Sequence, residues 1–253
     1  MTTLAIYSNK GGVGKTAAAV NLSYLAAQTG AKTLICDLDP QGSATYYLRV
    51  KPKLKSGAKG FIRGGKEVYR SIKGTDYDNL DLLPADFSLR NLEVRFDNLK
   101  RSKKRLRKIL RPFKTEYDFI FLDCPVTISL LAENILNAVD YALVPLIPTT
   151  LSVRTYGQLL SFCNQNNYDT GKIYTFFSMV DRRKNMHRDT IAAVSKTYSG
   201  VLQSFIPYLA LIEKMGIYRA PVAEFSPESV ASRSYQNLWD KVQNNILSQS
   251  KRH

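Results

Sequence analysis

The sequence predicts an α/β fold, a mostly parallel twisted sheet of about seven strands flanked by helices, in one domain over residues 1–253. Three observations predict it. A run of strand formers, Leu4–Tyr7, passes directly into a glycine-rich turn and then a helix. A second apolar run, Lys32–Asp37, completes a β-α-β unit and ends in an acid. The same alternation then continues, with continuous apolar runs of the kind that parallel strands buried on both faces require.

The first unit reads L-A-I-Y-S-N-K-G-G-V-G-K-T over residues 4–16. Gly11, Gly12 and Gly14 carry no Cβ, so the backbone can turn tightly and aim its N–H groups inward at phosphate oxygens. Ala17–Gln28 follows as a helix whose positive N-terminus faces the same anion, and Gly30 stops it. Lys15 would reach the β- and γ-phosphates and the Thr16 hydroxyl would ligate Mg²⁺. The expected nucleotide-binding residues are thus Lys10, Gly11, Gly12, Val13, Gly14, Lys15, Thr16 and Ala17, on a P-loop NTPase fold. The full pattern G-x-x-x-x-G-K-[ST] wants glycine at position 9. This chain has Asn9, and a second lysine, Lys10, at the mouth of the loop.

Lys32–Asp37 (K-T-L-I-C-D) reads as the second strand, followed by Asp37-Leu38-Asp39-Pro40-Gln41-Gly42. Two carboxylates at i and i+2 beyond a strand's carboxyl end can serve two purposes beside phosphates. One organises Mg²⁺ and its waters, the other positions an attacking water. Residues 49–73 carry nine lysines and arginines interleaved with glycines against the single acid Glu67, and read as a basic loop or small helix. Leu80–Pro84 is the next strand, and Asp86–Phe96 has helical spacing.

Residues 98–111 read as an amphipathic basic helix with Leu99, Leu106, Ile109 and Leu110 on its apolar stripe. Lys100, Arg101, Lys103, Lys104, Arg105, Arg107, Lys108 and Arg111 cover the rest, with no acid among them. Such a run is either a solvated face or a surface for phosphate, and both readings stay open. Tyr117–Asp123 (Y-D-F-I-F-L-D) is a buried strand ending in aspartate, the Walker B arrangement in which Asp123 holds Mg²⁺ through water.

Ser129–Asp140 and Ser152–Cys163 read as helices, and Tyr141–Pro148, Lys172–Met179 and Val201–Pro207 as the remaining strands. Asp181–Asn185 is a polar loop. Ser226 and Pro227 mark the start of a last helix running to about Ser248.

A net charge of +15 favours polyanionic partners, nucleic acid or an anionic membrane surface. Cys36, Cys124 and Cys163 are widely spaced, no C-x-x-C occurs, and the histidines are His187 and His253. That pattern argues against a zinc site and suits a reducing cytoplasm. No signal-peptide pattern opens the sequence, and no apolar run approaches the ~18 residues of a membrane span.

K-G-G-V-G-K-T resembles the deviant Walker A loop of the ParA/Soj-type partition and positioning ATPases, a branch that includes MinD. D-L-D-P-Q-G, L-V-P-L-I-P-T-T, S-M-V-D-R-R and A-P-V-A-E-F extend the resemblance over nearly the whole chain. D-C-P-V departs from the family's D-x-P-P at Val126. The resemblance implies ATP and Mg²⁺ as cofactors. It gives Lys10 the role of a signature lysine that reaches the partner subunit's nucleotide in an ATP-bound homodimer. Lys10, Lys15 and Asp39 become the catalytic set, with Asp39 needed for hydrolysis, and Thr16, Asp37 and Asp123 lie around Mg²⁺. Met179, Asp181 and Pro207 would border the adenine.

For function, the resemblance implies nonspecific DNA binding, with Lys214 and Arg219 as family-derived contacts beside Lys103, Arg105 and Lys108 of the basic stretch. It also implies a ParB-like or other adaptor that stimulates hydrolysis, and a cytoplasmic, nucleoid-associated location. A MinD-like membrane-associated ATPase and a metabolic enzyme of the same fold are the alternatives. The tail after Ile246, L-S-Q-S-K-R-H, is too polar for lipid insertion, so no membrane partner is expected. The cysteines do not supply a nitrogenase-like cluster.

Overall fold

The computed structural model describes residues 1–99 and 102–248; Lys100 and Arg101 of the basic stretch and the last five residues of the tail lie outside the described residues. In chain order, β1 (Thr2–Ile6) leads into α1 (Lys15–Gln28), β2 (Thr33–Asp37) and a short α2 (Ser43–Tyr47). Two small helices, α3 (Gly57–Arg63) and α4 (Lys66–Tyr69), precede the two-residue β3 (Lys73–Gly74) and β4 (Leu80–Leu83). Then come α5 (Leu92–Asp97), α6 (Arg105–Leu110), β5 (Phe119–Asp123), α7 (Leu130–Ala138), β6 (Tyr141–Leu146) and α8 (Thr150–Gln165). β7 (Ile173–Val180), α9 (Asn185–Thr197) and β8 (Val201–Pro207) complete the sheet. α10 (Ala210–Glu213), α11 (Met215–Tyr218), α12 (Val222–Phe225) and α13 (Val230–Val242) follow, and a turn of π-helix, Gln243–Leu247, prolongs α13.

The eight strands lie in the order β3-β4-β2-β5-β1-β6-β7-β8. Every described pairing is parallel except β3 with β4. Parallel neighbours need long crossovers, which the helices supply, and those helices bury both faces of the sheet. Along β2, Leu34 and Cys36 face one core layer with residues of α3 to α9, while Ile35 faces the other with α1 and α13. This double burial explains why the strands read as continuous apolar runs. β3 gave no such signal, because Lys73 and Gly74 are exposed and pair only at an edge.

Four segments differ from expectation. The 98–111 stretch is not one helix. Ser102–Lys104 and Arg111–Thr115 are 3₁₀ turns around a six-residue α6. Like charges three and four apart repel along a helix, and Pro112 lacks the N–H to continue it. Asn134 Oδ1 instead accepts from the Arg105 and Leu106 amides at 2.9 and 3.1 Å. Asp86 caps a 3₁₀ turn, Phe87–Asn91, before α5 begins.

The polar loop expected over 181–185 stops at Lys184, and Asn185 opens a 13-residue helix, α9, that was not among the expected elements. In it only His187 and Val194 are buried, too few to mark an apolar stripe. The last long helix starts at Val230, where the Ser229 hydroxyl accepts from the Ser232 amide at 3.1 Å. Ser226 instead ends α12, whose buried Val222 draws the chain inward before it can turn.

Candidate nucleotide and metal site

Three strand ends lie level at the carboxyl edge of the sheet. Ile6 pairs with Asp123 across β1 and β5, and Asp37 pairs with Asp123 across β2 and β5. The glycine loop therefore leaves β1 directly beside both strand-end aspartates. Gly12 and Gly14 adopt φ of +67° and +85°, the left-handed region that favours glycine. A Cβ on Gly14 would also lie 3.1 Å from the Ser178 hydroxyl.

Gly14 starts α1 without any side-chain cap. The first amides of a 14-residue helix are thus left to a ligand, and the macrodipole favours an anion there. Lys15 is 7% exposed. Burial lowers its pKa, while Asp123, Cys124 and Asp39 act in the opposite direction.

Asp123 is fully buried, and neither carboxylate oxygen makes a hydrogen bond. The Thr16 hydroxyl sits against it and favours its ionised form, without regular hydrogen-bond geometry to either oxygen. Burial foremost, then Asp37, raises the Asp123 pKa well above the carboxylate range. Asp37 is raised as well, mainly by burial, although its Oδ2 accepts from the Thr45 amide and hydroxyl at 2.8 and 2.7 Å. A buried carboxylate with both oxygens unpartnered is costly unless a cation meets it. Mg²⁺ takes one or two carboxylates beside phosphate oxygens and retained waters, so Asp123, Asp37 and Thr16 fit such an ion.

Asp39 is half-buried on the turn beyond β2, where its Oδ1 accepts from the Gln41 amide at 3.0 Å. Lys10 is half-buried and donates from Nζ to the Ser152 hydroxyl of α8 at 2.8 Å. Gly11 and Gly12 beside it are exposed. Val126, Ile128 and Leu151 expose apolar side chains nearby in the chain to Asp123 and Ser152.

Met179 and Pro207 line a small apolar cavity together with Gly14, Ala17, Ser178 and Tyr208. Met179 has φ of +53°, where β7 and β8 slip register between Phe177 and Val180. A non-glycine residue held there is strained, a feature that clusters at ligand sites. Asp181 does not line this cavity. The Arg183 guanidinium donates to its carboxylate at 2.9 and 3.0 Å and holds its pKa down at about 2.

Lys103 pairs with Glu133 at 2.7 Å. Arg105 donates its guanidinium to the Ile62 carbonyl, at 2.9 Å from Nε, and Lys108 is exposed. Arg219 donates to the Tyr46 carbonyl at 3.0 Å and stacks over that ring, while Lys214 is exposed. Thr45, Ser152 and Ser178 join the site without having been expected there. Thr45 and Ser152 are lone hydroxyls with no local motif, whereas Ser178 opens the S-M-V-D-R-R stretch and was overlooked beside Met179 and Asp181.

A family model described as "AAA domain" matches residues 1–173. The chain is 30% identical over 245 residues to the sporulation initiation inhibitor protein Soj of Bacillus subtilis (strain 168), covering 94% of this chain and 97% of that protein. The chain belongs to the ParA/Soj family. It is also 30% identical over 245 residues to the chromosome-partitioning ATPase Soj of Treponema pallidum (strain Nichols), covering 93% of this chain and 94% of that one. Cobyrinic acid a,c-diamide synthase from Mycobacterium smegmatis, solved with an ATP analog and magnesium, superimposes with a TM-score of 0.81 at 25% identity, covering 98% and 97% of the two chains. The fold is that of the P-loop NTPases. No helix among the described residues is long and apolar enough to cross a membrane.

Proposed function

We propose that this chain is a Mg²⁺-dependent ATPase that forms an ATP-bound homodimer, binds DNA without sequence preference and positions or segregates a cargo. An adaptor of the ParB kind would release it by stimulating hydrolysis. The observation that carries the reading is the placement of Lys10. Its ammonium is turned onto the Ser152 hydroxyl of α8, next to the exposed Gly11 and Gly12 and with Val126 and Leu151 exposed in the segments that face them. A lysine so placed suits a second subunit's nucleotide better than its own.

Lys15 and the first amides of α1 would bind and orient the phosphates. Asp123, Asp37 and Thr16 would hold Mg²⁺, which when bound draws charge off the phosphate oxygens. Asp39 would accept a hydrogen bond from the attacking water and aim it. Lys10 would steady the charge that develops on the partner's phosphates. Met179 and Pro207 would flank the base. The relatives matched over more than nine-tenths of the chain support partition over a biosynthetic role, because a fold shared with a synthase does not choose between them.

Removing Asp39 tests the reading. Asp39→Ala leaves Asp37, Asp123 and Thr16 in place, so ATP and Mg²⁺ should still bind while hydrolysis stalls. The variant should elute as a dimer with ATP on size-exclusion chromatography and as a monomer with ADP. A strictly monomeric variant with normal turnover would sink the proposal.

A further inference from the structure

Resting on the DNA-binding reading above, we infer that duplex DNA docks on one basic face built jointly by α3, α4, α6 and the 3₁₀ turn after α6. In sequence the basic stretches 49–73 and 98–111 are separate, but packing makes them one surface. The Arg105 guanidinium donates to the Ile62 carbonyl of α3. The Tyr69 and Phe113 rings meet at 4.7 Å between centroids. Phe61, Val68, Leu106, Ile109 and Phe113 are buried beneath.

Above that layer Arg63, Lys66, Lys104, Lys108, Arg111 and Lys114 are exposed, and none has an ion pair among the described residues. Most of the nearby acids are engaged: Asp140 and Asp169, which line a cavity with Arg107 and Lys114, accept from the Thr3 and Gly171 amides at 2.8 and 2.9 Å. Glu67 pairs with Arg70 at 3.9 Å and accepts from the Ser56 hydroxyl at 3.0 Å, and Glu133 pairs with Lys103. Glu116 stands exposed just past the end of the patch. Arg105 therefore holds α6 to α3 and Lys103 ties the turn before α6 to α7, while the exposed cations, Lys59 and Arg107 among them, present the charge.

Unpaired like charges fixed on short packed elements repel one another, and a polyanion relieves that repulsion. Two features favour duplex DNA over lipid. A helix that lies on a membrane needs an exposed apolar flank, whereas Leu106, Ile109 and Leu110 of α6 are buried. The cations are also spread over several short elements, which suits contact with a phosphate backbone rather than base reading by one helix. The family-derived residues lie elsewhere. Met215 of α11, next to Lys214, packs in the core layer on the opposite face of the sheet from α6.

The test is filter binding of the full chain to two unrelated duplexes, with ATP and with ADP, across a salt series. The variant combines Arg63→Glu, Lys66→Glu, Lys108→Glu and Arg111→Glu, and Lys214→Glu probes the opposite face. The fourfold variant should lose DNA binding, or show a log K against log salt slope shallower by about 0.9 for each phosphate no longer neutralised, roughly 3 to 4 in all. It should keep wild-type affinity for a fluorescent ATP analogue, which reports folding. Should it fail to bind nucleotide, Lys66→Ala with Arg111→Ala replaces it, with a slope change of about 1.8 expected.

An unchanged slope in either variant while wild type binds DNA would overturn this face and leave the DNA reading intact. Wild type that binds neither duplex with ATP or ADP would overturn both. Patch-dependent binding to vesicles of anionic phospholipid without DNA binding would also overturn the inference.

Discussion

At the scale of single residues, the site stores unfavourable electrostatics that a ligand relieves. Asp123 has no hydrogen-bond partner and Lys15 is almost sealed from water. Asp123→Asn should therefore leave the ligand-free protein at least as stable as wild type in thermal unfolding, while Mg²⁺-dependent hydrolysis is abolished. A variant that is strongly destabilised without ligand would contradict this account of Asp123.

His187 makes a second, independent prediction. It is 4% exposed, and its Nδ1 accepts from the Asp181 amide at 3.1 Å, which only the neutral ring can do. Burial, then Lys184, lowers its pKa below the ordinary 6.5, partly offset by Asp181. The unfolded chain thus takes up this proton first. The stability His187 contributes is present above pH 6.5 and is lost as pH falls through the folded-state pKa. Urea midpoints at about pH 7.5 and about pH 5.5 should drop more for wild type than for His187→Gln. Equal drops would remove His187 from the account.

At the scale of elements, the turn from β1 into α1 was the most legible part of the chain, because its glycines are required by backbone geometry. Gly14→Ala meets two costs, left-handed strain of about 1–2 kcal/mol and the approach to Ser178. Gly30 has φ of +85° with nothing within 4 Å of a built Cβ, so Gly30→Ala meets the strain alone. Both should lower the melting temperature, but only Gly14→Ala should also lose ATP affinity by titration. Equal ATP affinity in the two variants would argue against the Gly14 approach.

The strand-end acids Asp37 and Asp123 were legible for a related reason, since a continuous apolar strand that stops at an acid is a local pattern. Ser152 and Thr45 were not. Ser152 meets Lys10 across 142 positions of chain, and only the packing of α8 beside the loop brings them together. α9 stayed hidden because so little of it is buried, and the basic stretch broke into short turns because Asn134 and Pro112 act on it from outside any helical pattern.

At the scale of the whole molecule, the sheet brings the glycine loop, Asp37 and Asp123 to one edge, and α8 holds Lys10 beside them through Ser152. The two candidate DNA surfaces lie on opposite faces, which the sequence alone could not order. In the proposed dimer, one chain's Lys10 completes the other chain's nucleotide site. Sedimentation velocity with ATP and Mg²⁺, on wild type and Lys10→Ala at equal nucleotide saturation, tests it most directly. Wild type should sediment as a dimer with ATP and as a monomer with ADP, and Lys10→Ala should bind ATP yet remain a monomer or fail to hydrolyse. A Lys10→Ala protein that dimerises and hydrolyses ATP like wild type would contradict the account.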